Sequence, residues 1–125
     1  MIIGIGTDIV QIARIDKSLT RFGDRFAQRV LTEEEYAIFL QQSDQARYLS
    51  GRFAAKEAAV KALGTGFSQG IGFTQIGVRH DAAGKPELYF LGLALKKIQQ
   101  KNAGAAHLSI THEKEYALAF VVLEV

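Results

Sequence analysis

The spacing of apolar side chains along this chain changes several times, and each change marks an element. Residues Ile2 to Ile12 carry the β-branched Ile3, Ile5, Ile9 and Val10, and they predict a strand interrupted by Gly4 and Gly6. Ile12, Ile15, Leu19, Phe22, Phe26 and Val30 then recur at steps of three and four, which is helical spacing. Gly23 falls in the middle of that run and predicts a break or bend. Thr32 followed by Glu35 is a capping box, so a short helix begins there and runs toward Leu40. An alanine-rich helix covers about Asp44 to Leu63, with Gly64 as its terminator.

Phe73 to Arg79 and Glu87 to Leu91 alternate like two strands, and DAAGKP between them is turn material, so a hairpin is predicted. Leu93 to Lys101 has helical character and ends near Asn102–Gly104. His107 to Thr111 and Tyr116 to Val125 close the chain as strands around a turn at Glu113–Glu115. Helices gather in the first half and strands in the second. The predicted fold is α+β, a mainly antiparallel sheet packed against helices. With no repeat, no low-complexity stretch and a single proline, Pro86, residues 1–125 are expected to form one domain.

Composition narrows the classes. The chain has no cysteine, which excludes a disulfide scaffold, a thiolate zinc site and a cysteine nucleophile. The opening MIIGIGTDIVQI is apolar but carries Asp8 and no basic leader, and no run approaches the roughly 18 apolar residues of a membrane span. A cytoplasmic protein without a secretory signal is expected. A net charge of +2 does not by itself imply nucleic-acid binding. Its distribution is more informative: Arg14, Lys17, Arg21, Arg25 and Arg29 face only Asp16 and Asp24 between Gln11 and Val30. That segment should attract an acidic partner.

Four segments carry candidate chemistry. GIGTD fails as a dinucleotide fingerprint, because Ile9 stands where G-x-G-x-x-G requires its last glycine. Asp8 sits within an apolar strand, where an unpaired buried carboxylate costs several kcal/mol, so it needs a partner: an arginine or a bound cation. In the segment Arg52–Gly66, Phe53, Lys56, Glu57, Val60, Lys61 and Gly64 share a helical arc of about 140°. Glu57 and Lys61 then emerge side by side, and the plain alternative to a site is an ion pair worth about 0.2–0.5 kcal/mol. GTGFSQGIG at 64–72 has the reverse order of a P-loop, though its amides could face phosphate. Near the end, strand alternation predicts Ser109, Thr111 and His112 at one strand end, with Leu108 and Ile110 pointing the other way. No G-x-S-x-G elbow supports a hydrolase, and His80, His107 and His112 lack zinc-ligand spacing.

Taken in order, GIGTDIVQIARI, RFAAKEAAVKALGTG, GKPEL and LSITH resemble the motifs of the small, single-domain class of 4'-phosphopantetheinyl transferases, from Met1 to about Val125. The resemblance implies transfer of the phosphopantetheine arm of coenzyme A to a serine of apo acyl carrier protein, releasing adenosine 3',5'-bisphosphate. It also implies Asp8 and Glu57 as ligands of Mg²⁺, with Asp8, Glu57 and Lys61 as the catalytic group. Arg52, Lys61, Gly64, Ser109 and His112 would contact coenzyme A. The serine proton would pass to Glu57 or to a water held by the carboxylates, and both remain open. Arg14, Arg21 and Arg25, expected opposite the Ile15–Leu19–Phe22–Phe26 stripe, become a docking surface for the acidic carrier. A homotrimer with shared sites is implied as well; from charge and hydropathy, no nucleic-acid or membrane partner is expected. The competing class is a non-catalytic basic module that binds an acidic protein. A nucleic-acid binder is less favoured, since Phe22 and Phe26 are expected on the apolar side, away from the arginines.

Overall fold

The computed structural model describes residues 1–125. The chain runs through β1 (Ile2–Gln11), α1 (Ile12–Phe22), α2 (Asp24–Val30), α3 (Glu33–Phe39) and α4 (Gln45–Leu63). A 3-10 turn at Phe73–Gln75 leads into β2 (Ile76–His80) and β3 (Pro86–Phe90), followed by α5 (Gly92–Gln100), β4 (Ala105–His112) and β5 (Tyr116–Glu124). This is an α+β fold in which every strand pairing is antiparallel. β5 lies between β1 and β4 in one sheet, and β2 and β3 form a separate hairpin. No helix is long and apolar enough to cross a membrane.

Helix α4 is the axis of the molecule, and it lies directly on the three-stranded sheet. Its Ala54, Ala55, Ala58 and Ala59 are buried, and they cluster with Ala119, Val121 and Leu123 from β5. Small side chains on both layers let helix and sheet approach closely. At β1 the approach is closer still: a Cβ on Gly4 would overlap the Ala62 carbonyl, and one on Gly6 would overlap the Ala58 carbonyl. These two positions must be glycine because backbone meets backbone. A second apolar cluster, Ile15, Ala27, Val30, Leu31, Phe39, Tyr48 and Leu49, joins α1, α2 and α3 to the first half of α4.

The other face of the sheet has no cover within the chain. Ile5 and Ile9 on β1 are 62% and 60% exposed, and Leu118 and Phe120 beside them on β5 are also exposed.

As expected, Gly23 breaks the helical run into α1 and α2, taking φ +64° with its N–H on the Leu19 carbonyl. Other boundaries differ from the sequence expectations, each for a tertiary reason. Phe73 does not enter a strand: it stacks on Phe53 and Phe67, and the chain turns through Gln75 before β2 begins. β4 is longer at both ends than His107–Thr111, because its ladder with β5 continues from Ala105 opposite Glu124 to His112 opposite Ala117. The hairpin turn is held by Asp81, whose Oδ1 accepts from the N–H groups of Ala83 and Lys85.

Candidate active site

The face of β1 that packs on α4 carries Gly4 and Gly6, and two residues on, Asp8. The glycines bring the strand onto the helix backbone, so the carboxylate of Asp8 reaches the side chains of the last turns of α4. There the Lys61 ammonium donates to the Thr7 carbonyl at 2.9 Å and to Asp8 Oδ1 at 3.3 Å. The partner that Asp8 needed is therefore a lysine, not an arginine. Lys61 forms no ion pair with Glu57, although the two lie four residues apart on one helix. A helical pair of that kind is worth only a few tenths of a kcal/mol, and two acceptors on β1 outweigh it.

Glu57 instead faces Asp8. Both line one cavity of about 440 Å³, together with Arg14, Ser18, Phe26 and Phe53. Burial raises the pKa of Asp8, opposed by the hydrogen bond and charge of Lys61. Burial also raises that of Glu57, and the negative charge of Asp8 raises it further, against Lys61. The two partly desolvated carboxylates share this cavity with the Arg14 guanidinium and lie beside the Lys61 ammonium. The donor set suits a hard divalent cation that keeps waters and takes one or two protein carboxylates. No third acidic, histidine or cysteine side chain joins them, so the rest of such a coordination sphere would come from solvent and substrate.

The predicted helical arc is divided. Phe53 and Glu57 line the cavity, Lys61 and Gly64 are exposed, and Val60 and Lys56 are buried. Lys56 points into the core to Glu35, and its burial lowers its pKa against the opposing charge of Glu35. Gly64 ends α4 in the left-handed region at φ +80° and opens the 64–72 loop.

A second basic cluster lies near the start of α4, outside that cavity. The Arg52 guanidinium sits 4.1 Å over the Tyr48 ring, and its Nη2 is 3.4 Å from His80 Nδ1. His112 lies against Gly51, where the missing Cβ leaves room for the imidazole. Arg47, not singled out from the sequence, donates to the Glu113 carbonyl at 3.3 Å. Burial, and then the charge of Arg47, lowers the His112 pKa; burial, and then Arg52, lowers that of His80. Two buried nitrogens here, Arg52 Nε and His112 Nε2, have no hydrogen-bond partner. The sequence grouped His112 with Ser109, but the strand stays regular through its last residue. Alternation therefore puts His112 with Leu108 and Ile110, toward α4, and leaves Ser109 on the exposed face. The isolated chain does not bring Arg52, Ser109 or His112 to the cavity of Asp8 and Glu57.

The basic segment also differs in detail. Arg25, Arg29, Phe22, Phe26 and Ser18 line one groove of about 370 Å³ beside the carboxylate cavity. Phe22 is 54% exposed, with the Arg21 guanidinium 5.0 Å over its ring. Arginines and aromatics thus share a face instead of lying on opposite ones. The break at Gly23 puts Ser18 and Phe22 on α1 and Arg25, Phe26 and Arg29 on α2, so a single helical wheel does not describe the segment.

Residues 4–121 match the family model of the 4'-phosphopantetheinyl transferase superfamily. A holo-[acyl-carrier-protein] synthase of Vibrio parahaemolyticus is 53% identical over 123 residues, covering 98% of both chains. The solved holo-[acyl-carrier-protein] synthase of Neisseria meningitidis superposes with a TM-score of 0.93 at 47% identity, covering all of both chains. That of Bacillus anthracis, solved in complex with CoA (3',5'-ADP), gives 0.82 at 43% identity over 99% of this chain and 97% of that one.

Proposed function

The chain belongs to the 4'-phosphopantetheinyl transferase superfamily, and from that premise we propose that it transfers the 4'-phosphopantetheine arm of coenzyme A to a serine of apo acyl carrier protein. The observation that carries the site assignment is the convergence of Asp8, from β1, and Glu57, from α4, on one cavity. Residues 1–125 act as one transferase domain. Asp8 and Glu57 hold Mg²⁺, which when bound supplies positive charge to the pyrophosphate of coenzyme A.

In the reaction the serine Oγ forms a bond to the β-phosphorus as its proton passes to Glu57 or to a water beside the carboxylates, and the bond from that phosphorus to the bridging oxygen breaks. Adenosine 3',5'-bisphosphate leaves. The Lys61 ammonium, held at the cavity by Thr7 and Asp8, meets the phosphate oxygens as a point charge and stabilises the charge that grows on the leaving group. Gly64 and its loop border the nucleotide. Arg14, which lines the carboxylate cavity, and the arginines of α1 and α2 receive the acidic carrier, mostly by raising its association rate.

Arg52 and His112, with Arg47 beside them, take the 3'-phosphate. Their unpartnered buried nitrogens support this assignment, since a buried donor without an acceptor is costly. Because this cluster and the carboxylates do not share a cavity within one chain, coenzyme A spans two subunits, with Ser109 at the junction. The uncovered apolar face of β1 and β5 supports a homotrimer built on that face. The enzyme works in the cytoplasm, in fatty acid biosynthesis.

The test is direct. Apo carrier protein is incubated with the enzyme, coenzyme A and Mg²⁺, and weighed by mass spectrometry. A gain of one phosphopantetheine that disappears with a chelator is expected. A chain that binds the carrier without modifying it would instead be a non-catalytic basic module.

A further inference from the structure

Lys56 and Glu35 pair at 2.5 Å with both side chains fully buried, and neither takes part in the chemistry above. A buried ion pair is weak evidence for stability, because apolar groups of the same volume are often as stable in its place. What this pair does is join separate segments. The Lys56 ammonium has three donors, and each finds an acceptor on a different element. One is Glu35 Oε1 on α3, one is the Val30 carbonyl at the end of α2, and the third is the Phe73 carbonyl of the 3-10 turn. Glu35 is shared in the same way. Its Oε1 also accepts from the Thr32 N–H, its Oε2 accepts from the Val78 N–H on β2, and its backbone carbonyl accepts from the Tyr48 hydroxyl on α4. Four elements are thereby fastened at one point of α4, next in sequence to Glu57.

The fastened segments form one wall of the proposed site. Val30 is the last residue of α2, whose Phe26 lines both the carboxylate cavity and the adjoining groove of Arg25 and Arg29. Phe73 stacks at 5.1 Å on Phe53, which lines the same cavity. We propose that Lys56 is a positioning residue which, through the Val30 and Phe73 carbonyls, holds the carrier-facing wall in register with Glu57 and Lys61. The inference rests on the transferase reading. An apolar side chain at 56 could fill the space but could not anchor two carbonyls. α2 would then drift against the carboxylates, and the incoming carrier serine would be misplaced. Displacements of this kind are costly even when the chemistry itself is untouched.

Steady-state kinetics with coenzyme A and apo carrier varied in turn test this, alongside thermal unfolding of each protein. Lys56→Met should unfold at lower temperature, because it strands the Glu35 carboxylate. Lys56→Met/Glu35→Gln removes both charges and should recover much of that loss. Glu35→Asp keeps both charges but withdraws the carboxylate by one methylene, and it should fold. In the folded variants kcat/KM for carrier, per folded protein, should fall about tenfold or more, less for Glu35→Asp, while the KM for coenzyme A stays unchanged. A wild-type kcat/KM for carrier in the folded double variant overturns the inference. So does a loss that vanishes once rates are scaled to folded protein, or one matched by an equal rise in the KM for coenzyme A. If the wild type transfers nothing, the transferase reading fails first and this inference with it.

Discussion

Asp8 and Glu57 are held in an arrangement that works against folding at neutral pH. Each carboxyl has its pKa raised by burial, and Glu57 also by the charge of Asp8. A folded-state pKa above the unfolded one means that the native chain binds the proton more tightly. The penalty is therefore absent below the ordinary values of 3.8 and 4.5, grows as pH rises through the raised values, and is fully present at neutral pH. Glu57→Gln should accordingly stabilise the metal-free protein at pH 7, by under about 1 kcal/mol because the site is partly open to water, and should give no gain at pH 3. Turnover should fall by about a hundredfold or more. Thermal unfolding with and without Mg²⁺ checks the same point: the ion should raise the midpoint of the wild type and leave that of Glu57→Gln unmoved. Normal turnover in the variant would remove Glu57 from the site.

At the scale of elements, the site depends on how closely β1 lies on α4. Gly6 is the contact that sets this distance, since any Cβ there meets the Ala58 carbonyl. Gly6→Ala should destabilise the fold by about 1–3 kcal/mol, as overpacking usually does, in urea unfolding. It should also reduce turnover beyond the loss of folded protein, because Asp8 moves away from Glu57. The kink at Gly23 has its own consequence, placing Arg25 and Arg29 beside Phe22 and Phe26 on one groove. Arginines of this kind act on encounter more than on the bound complex. Arg14→Glu should raise the KM for the carrier severalfold at low salt and show a much smaller difference from wild type at high salt. A salt-independent difference would indicate a direct packing role for Arg14.

For the whole molecule, two features of the single chain remain incomplete: an apolar sheet face without cover and a basic cluster apart from the carboxylates. Shared sites between subunits would account for both. Glu57→Gln lacks a carboxylate, and Arg52→Ala/His112→Ala lacks the basic cluster; each alone should be nearly inactive. Co-refolded as mixed oligomers, they should regain a measurable part of wild-type turnover, because some interfaces then combine an intact carboxylate pair with an intact cluster. Mixtures no more active than their components would show that each chain carries a complete site.

Much of this protein was legible along the chain because it follows from local rules. The capping box at Thr32 and Glu35, the alanine helix ending at Gly64 and the break at Gly23 depend on backbone geometry a few residues wide. The resemblance of the Asp8 and Glu57–Lys61 segments to a transferase is equally a property of short motifs. Pairings between distant segments were not legible. Helical spacing put Lys61 beside Glu57 and Lys56 on the same surface, yet Lys61 is bound to Asp8 and Lys56 is buried with Glu35. A side chain four residues away on one helix offers a few tenths of a kcal/mol. Acceptors brought near by packing compete on stronger terms, since burial makes every unmet hydrogen bond costly. The sequence by itself determined which elements form and which residues are chemically able to serve. Only the tertiary structure decided which partners they take, because close approach of β1, α2 and α3 to one helix is a property of the assembled core.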